Sequence, residues 1–554
     1  MEERRENIAP RSKKPKSGGF LAQGSIYAAS GVISSLIGLV YRMPLTRIIG
    51  DEGNGYYAAA FNIYAIVLLL SSYSLPLAVS KLISARVGAK NYRNAERILR
   101  AALLYATVVG GIGFTAIFFG ADWLAASFLH IPEAAHPLRA LAPTVWIVSY
   151  LGVCRGYWQG QSTMVPTAIS QIVEQILNAA VSVGAAYFLM KWAIQGGKNE
   201  SIARAFGAMG GTIGTGVGAA SALLIFMLLF LVTRGRRRRK ARRDREHRVE
   251  TYEEITELLV LTVLPVILST AIYNVSGILD NALFGQAMFD LGKQGEIAKQ
   301  YGVYTGKYKL LLNVPIMIAN SLGSALVPAL SRAVGANQKK EIRKNIALAI
   351  RFSMIVAIPA AVGLGVMADP LIPLLFGNSA LAVHIMHLGC ASVVFYSLST
   401  VSNAILQGTN HMKVPVAHAA LSLGIHVLVL ETLLRIFELG IVSVVIADMV
   451  FAVSMCILNA GSLKRLLKYR QEIGRSFILP GFCALLMGLA TAGAKYALKR
   501  LTGRVVFYTL LPIILAVAVY GSLLLLTGAI REEELLRFPK GTSLCRLAKR
   551  LHLL

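Results

Sequence analysis

The sequence predicts an all-α polytopic membrane protein, and three observations carry that prediction. Hydrophobic residues fill 55% of the 554 positions, charged residues only 15%, and the apolar residues fall into long runs separated by short polar segments. A soluble chain of this length needs a polar surface that 15% charged residues cannot supply. A run of about 20 apolar residues crosses a hydrocarbon core about 30 Å thick. An open chain in lipid satisfies its backbone polar groups only as helix, so each run is read as a transmembrane helix. Fourteen spans are expected, near 22–45, 56–82, 98–120, 139–159, 165–190, 207–232, 258–283, 304–330, 346–367, 382–406, 414–436, 440–462, 475–496 and 505–528.

Loop charge sets the expected orientation. One set of connections reads SARVGAKNYRNAER, TRGRRRRKARRDREHR, SRAVGANQKKEIRK and KRLLKYRQEIGR, whereas the alternate set reads GDEGNG, HIPEAAHP and ADPLIPLLFGNSA. The basic set is expected to face the cytoplasm, and an even span number puts both termini there. A late outer loop with Lys495, Lys499, Arg500 and Arg504 runs against this pattern. The net charge of +28 is therefore read as topology rather than as nucleic-acid binding. The run from Arg234 to Arg248 follows a span directly and is expected to rest on anionic lipid headgroups.

The expected parts are a basic cytosolic tail (1–21), a first lobe (22–232), a basic linker (233–257), a second lobe (258–462), two added spans (475–528) and a cytosolic tail (529–554). Leu544, Leu547 and Leu551 give that last tail an amphipathic spacing. The polar, basic N-terminus lacks the apolar core of a signal peptide. Cys154, Cys390, Cys456, Cys483 and Cys545 are scattered and form neither a disulfide framework nor a CxxC metal site.

The two lobes repeat each other. SKLISARVGAKN follows span 2 and PALSRAVGANQ follows span 8; aligning Val87 with Val334 gives an offset of 334 − 87 = 247. QGQSTMVP follows span 4 and QGTNHMKVP follows span 10; aligning Gln159 with Gln407 gives 407 − 159 = 248. Two matches at nearly one offset mark an internal duplication. Six spans per repeat give both lobes the same orientation, with a pseudo-twofold axis along the membrane normal and a substrate path between the lobes. Spans 13 and 14 lie outside the repeat.

The segments YRMPLTRIIGDEGNGYYAAAFN, GYWQGQSTMVPTAISQ and PIMIANSLGSALVPALSRAVG resemble the MOP exporter superfamily. Within it, the chain is similar to stage V sporulation protein B-like polysaccharide transporters and MurJ-type lipid II flippases. The resemblance covers essentially the whole chain. It implies two pseudo-symmetric six-helix lobes around a central cavity, with two C-terminal helices forming a groove for a polyprenyl tail. It further implies a monomeric flippase in the bacterial cytoplasmic membrane. That flippase moves a polyprenyl-pyrophosphate-linked saccharide, lipid II first among them, from the inner to the outer leaflet by alternating access. Alternatives are a flippase for another lipid-linked saccharide and a multidrug or cation antiporter of the same superfamily.

Charges inside spans are costly and mark candidate sites. Arg42, about 20 residues into span 1, has two readings, a bidentate pyrophosphate contact or a side chain snorkelling to headgroups. The resemblance selects the first, since the lipid II flippases use an arginine near this place. Gln171, Glu174, Gln175 and Asn178 share one face of span 5, as a cavity wall or an interhelical seam. Lys307 and Lys309 enter span 8 from the outer side and have two readings, phosphate contacts opposite Arg42 or side chains snorkelling to the interface. Asp280 is expected to pair with one of these lysines or to bind a coupling cation, Na+ or H+. Asn54 stands where the resemblance implies an acidic residue, and Leu68, Leu69 and Leu70 stand where it implies a basic one; both departures bear on the substrate rather than the fold. Arg155 is read as snorkelling, Arg47 as an interface anchor, and the intramembrane histidines, His426 among them, as packing hydrogen-bonders. GVYTGKY is one residue short of a phosphate loop, so no ATP chemistry is expected. The driving force is then membrane potential or an ion gradient. Gly210, Gly214 and Gly218, four apart, predict close helix contact in span 6.

Overall fold

The computed structural model describes residues 18–73, 75–244 and 248–529, and these form helices joined by short turns. The expected C-terminal amphipathic segment and most of the N-terminal tail lie outside the described residues.

The first lobe begins with α1 (Gly18–Leu68), which Gly50 breaks near its middle at φ 70° and ψ −176°, a conformation that L side chains rarely adopt. A π-helical turn joins it to α2 (Leu75–Gly88), and α3 (Tyr92–Trp123), α4 (Ala135–Gly160), α5 (Val165–Gln195) and α6 (Glu200–Arg243) complete the lobe. The second lobe comprises α7 (Tyr252–Asp290), α8 (Gln294–Val303), α9 (Lys309–Gly335), α10 (Lys339–Phe376), α11 (Ala380–Gly389), α12 (Ser392–Gly408), α13 (Lys413–Arg435) and α14 (Ile441–Leu467). Then follow α15 (Leu479–Thr502) and α16 (Val505–Leu526).

Among the described residues, eleven helices are long and apolar enough to span a membrane, or twelve if the bent pair α11 and α12 is one span. The exact count of fourteen is not confirmed by these helices. Residues 22–45 and 56–68 belong to one helical run broken at Gly50, 258–283 fall in α7, some of whose side chains lie outside the described ones, and 382–406 fall on the bent pair. Side chains such as Phe119, Phe188, Leu228, Leu485 and Val517 stay exposed on the outside of the bundle, as a lipid-facing belt requires.

Packing reproduces the repeat. A Cβ added to Gly160 would meet Ser80 O at 2.9 Å and Ile83 Cβ at 2.7 Å; one added to Gly408 would meet Val327 O and Leu330 Cβ, both at 3.1 Å. These partners are related by the same offset, 327 − 80 = 247 and 330 − 83 = 247, so each lobe seats the end of one helix on another through an equivalent glycine. In α6 the glycine row works as expected: an added Cβ would lie 2.4 Å from Ala185 C at Gly210, 2.1 Å from Ser182 Oγ at Gly214 and 2.6 Å from Glu174 O at Gly218. The bare row lets α6 approach α5 closely between Gly210 and Gly218.

The basic run after span 6 continues α6 to Arg243, because Arg and Lys are good helix formers. It is tied to the start of α3: Arg237 pairs with Glu96 at 3.1 Å, and Asp244 accepts from the Arg93 amide at 3.1 Å. The appended α15 and α16 pack on α10 around Cys483, Met487, Tyr520 and Leu524, with Tyr520 donating to Ile355 O at 2.9 Å. The charge exception in the late loop has a local cause. Lys495 donates to Val366 O at 2.7 Å and pairs with Asp369 at 3.3 Å at the end of α10.

Candidate functional site

The polar face of α5 borders a cavity of about 950 Å3 in the first lobe, walled also by α1, α2, α4 and α9. Gln171, Glu174, Gln175 and Asn178 all line it, as does Arg42 from α1. The stripe is also part seam. Ser30 donates to Gln171 Oε1 at 3.0 Å, and the buried Asn178 accepts from Ser182 at 2.8 Å. Arg42 lies 5.1 Å from the Tyr57 ring centroid and 5.9 Å from that of Phe61. Its positive charge is thus held by aromatic faces. Among the described residues, no carboxylate pairs with it.

Arg155 departs from the snorkelling expectation. It turns into the cavity, its Nη2 donating to Glu174 Oε2 at 2.6 Å and its Nε and Nη2 reaching Ser170 Oγ at 3.3 Å. A carboxylate on the neighbouring helix, in a low-dielectric setting, outcompetes distant headgroups.

A smaller chamber of about 190 Å3 joins the lobes, lined by Arg42, Thr46, Asn54, Tyr57 and Asn62 from α1 and by Thr305, Lys309 and Asn313 across from it. Arg42 and Lys309 thus meet one space from opposite lobes, with neutral polar groups between them. Asn54 is buried and donates to Gly50 O at 2.7 Å, so its amide closes the turn at the α1 break.

Lys309 and Asn313 also border a third chamber, of about 400 Å3, in the second lobe, with Tyr396, Asn403 and Asp448. Asp448 pairs with Lys309 at 3.3 Å and accepts from the hydroxyls of Tyr396, at 3.1 Å, and Tyr304. Asp280 meets His426 at 2.5 Å, both side chains only 1% exposed. The expectation that Asp280 pairs with a lysine is therefore corrected: His426 on α13 reaches it first, and Asp448 takes Lys309. Ligand atoms of Asp280, His426 and Asp448 all lie within 4.8 Å of one another, and Asp280 Oδ2 has no hydrogen-bond partner among the described residues.

Lys307 needs the larger correction. Its side chain is 4% exposed and pairs with Asp51 at 2.6 Å, facing the opposite lobe and lining none of these chambers. Two residues apart, the lysines lie on opposite faces of the helical run, so Lys309 faces the chambers while Lys307 closes the end of the molecule away from the basic loops. That closure is tight. A Cβ on Gly55 would lie 1.9 Å from Ala298 O, and one on Gly302 1.8 Å from Asp51 O. Arg47, expected to be a headgroup anchor, instead donates to Leu375 O at 2.7 Å and to Leu374 O, binding α1 to the end of α10. His130 meets Gln286 at 2.8 Å at the same end. Near the opposite, basic end the first-lobe cavity is lined by Pro76, Leu77 and Gln159, so the space is shut on one side of the molecule and extends towards the other.

Residues 20–334 match the family described as "Polysaccharide biosynthesis protein", and residues 310–430 match the family MatE. The chain belongs to the polysaccharide biosynthesis protein family. Stage V sporulation protein B of Bacillus subtilis (strain 168) is 26% identical over 525 residues, 94% of this chain and 98% of its own. Lipid II flippase MurJ of the same organism is 23% identical over 434 residues, 76% and 78% of the two chains. Among solved structures, a lipid II flippase MurJ in an inward closed conformation matches with TM-score 0.66 at 14% identity, covering 90% of this chain and 97% of that one. An inward-facing multidrug resistance MATE family transporter of the MOP superfamily matches with TM-score 0.63 at 16% identity, covering 78% and 95%. These two likenesses establish the fold of this multi-pass membrane protein.

Sequence reading picked out Arg42, the α5 stripe and Lys309, which line these cavities, but did not pick out Asp448 and read Arg155 as snorkelling, although both line them too. Asp448 carried a readable signal, a lone carboxylate in the apolar stretch VSVVIADMVFAV. Asp51 carried none, since an acidic residue in a connecting loop is ordinary.

Proposed function

We propose that this chain is a flippase that moves a polyprenyl-diphosphate-linked saccharide, lipid II foremost, from the inner to the outer leaflet of the bacterial cytoplasmic membrane. One observation carries the reading: Arg42 and Lys309 converge from opposite lobes on one chamber that shares lining residues with two larger ones, and the lobes meet tightly at the short-loop end. The family membership and the lipid II flippases among the relatives support it. The basic loops support a cytoplasmic side for the end opposite this closure and for both termini. The head group enters there while its lipid tail stays in the bilayer, and rocking of the lobes opens the far side. An inside-negative potential aids outward movement of an anionic head by about 2.3 kcal/mol per charge per 100 mV.

The coupling ion belongs with the buried cluster. Asp280, His426 and Asp448 offer two carboxylates and an imidazole within range of one small cation or shared proton, and the unpartnered Asp280 Oδ2 leaves a donor position to fill.

The test is to deplete the native lipid II flippase in a bacterial host, express this protein, and measure viable cells together with lipid II exposed at the outer surface. Restored growth with restored exposure is expected, and Arg42→Ala should abolish both. A well-inserted protein that restores neither removes lipid II as the substrate and moves the assignment to another lipid-linked saccharide.

A further inference from the structure

Arg42 and Arg155 both line the first-lobe cavity, but their charges are held differently. Arg42 lies on aromatic rings with no carboxylate partner among the described residues, whereas Arg155 carries a counter-ion, Glu174, one helix away. Both members of that pair border the cavity and are only 16% and 19% exposed. The bond is single: one oxygen, Glu174 Oε2, meets one nitrogen, Arg155 Nη2, at 2.6 Å. A guanidinium grips phosphate best with two nitrogens side by side, so a phosphate arriving end-on needs the Nη2 that Glu174 now holds.

We propose that Arg155 is a second diphosphate contact, near the basic end of the first-lobe cavity, and that Glu174 is its exchangeable counter-ion, displaced when the head group arrives. The inference rests on the flippase reading above and adds the residue that receives the head before Arg42. A diphosphate diester carries one negative charge on each phosphate, and Arg42 with an unmasked Arg155 supplies the two matching positive charges. The displaced carboxylate has amide donors beside it, since Gln171 and Gln175 line the same cavity. In the resting state the pair keeps Arg155 from being a buried, uncompensated charge, which would be costly. It also keeps weaker anions from occupying the site, because they cannot break a charge-assisted bond. Ser170 keeps the guanidinium in place during the exchange through its contacts with Nε and Nη2.

The experiment measures binding of farnesyl diphosphate to the purified full-length protein in lipid nanodiscs by isothermal titration calorimetry. Wild type, Arg42→Gln, Arg155→Gln, Arg155→Lys and Glu174→Gln are compared, with thermal unfolding of each as the folding control. Glu174→Gln should tighten binding by about tenfold, because a neutral amide holds the guanidinium less tightly than the carboxylate and no ion pair has to be broken. Arg155→Gln should weaken it by about tenfold or more, and Arg155→Lys should fall between, as a point charge without the fork. Wild-type binding that depends on Arg42 but is unchanged or weakened in a folded Glu174→Gln protein overturns the exchange and leaves the flippase reading standing. No diphosphate binding by the wild type overturns both. If Arg155→Gln unfolds the protein, the Glu174→Gln and Arg155→Lys arms decide alone.

Discussion

The closed end of the molecule offers a sharp mechanical test. Gly55 and Gly302 face each other's helices across the lobe boundary, and a Cβ on either would lie 1.9 Å from Ala298 O or 1.8 Å from Asp51 O. Ordinary van der Waals contact begins near 3.4 Å. Alanine at Gly55 therefore demands a separation of 3.4 − 1.9 = 1.5 Å at this point, and neither opposing carbonyl is a flexible tip that can swing aside. Both glycines lie within helices, where alanine is the better helix former, so the substitution acts on the lobe contact and not on the helix. Overpacking of this kind costs about 1–3 kcal/mol. Because the strain exists only when this end is closed, the ratio of closed to open molecules should fall about 5- to 150-fold. The assay replaces the native cysteines, places one cysteine at Asn313, which borders all three chambers, and measures its labelling by a membrane-impermeant maleimide from outside whole cells. Gly55→Ala and Gly302→Ala should each raise that labelling at least about fivefold. Gly88→Ala, with nothing within 4 Å, is the neutral control. Unchanged labelling in correctly inserted Gly55→Ala protein would refute the claim that this contact seals the outer side.

Three further predictions follow from the same geometry. Lys307→Glu or Asp51→Lys alone should open the same end, since leaving one member of a buried pair costs about 3 kcal/mol or more; the double swap Lys307→Glu with Asp51→Lys should return Asn313 labelling towards wild type, and failure of that rescue would show that the pair does not act as a latch. His426→Asn should leave the protein folded but remove the response of transport to an imposed ion gradient, measured as lipid-linked substrate flipped in proteoliposomes with and without the gradient. At the basic end, Thr251 and Glu254 form a capping box on α7, and the hydrogen bond from the Thr251 amide holds the Glu254 carboxyl below its usual pKa. A depressed folded value means that the cap contributes above the unfolded carboxylate pKa and is lost as pH falls through the folded one; amide protection in the first turn of α7, measured relative to the intrinsic exchange rate at each pH, should therefore fall from pH 7 to pH 3, and Glu254→Gln should remove that dependence.

The sequence by itself determined class, architecture and the identity of the polar elements. Apolar runs leave helices as the backbone's solution in lipid, and the paired Val-Gly-Ala and Gln-Gly segments disclose the duplication that Gly160 and Gly408 then realise as equivalent contacts. The i, i+3, i+4, i+7 spacing put Gln171, Glu174, Gln175 and Asn178 on one face because helical periodicity is local. Pairing is not local. Lys307 and Lys309 lie two residues apart in TGKYKLLLNVP and so on opposite faces of any helix, but their partners, Asp51 for one and Asp448 for the other, are set by the helices packed on those faces. Arg155 looks like a snorkelling residue until α5 brings Glu174 beside it, and Asp280 acquires His426 only when α7 packs on α13. Charge partners in a low-dielectric interior are chosen by which helices become neighbours. That choice spans more than a hundred residues of sequence for Asp51 with Lys307 and for Asp280 with His426, so only the tertiary structure decided it.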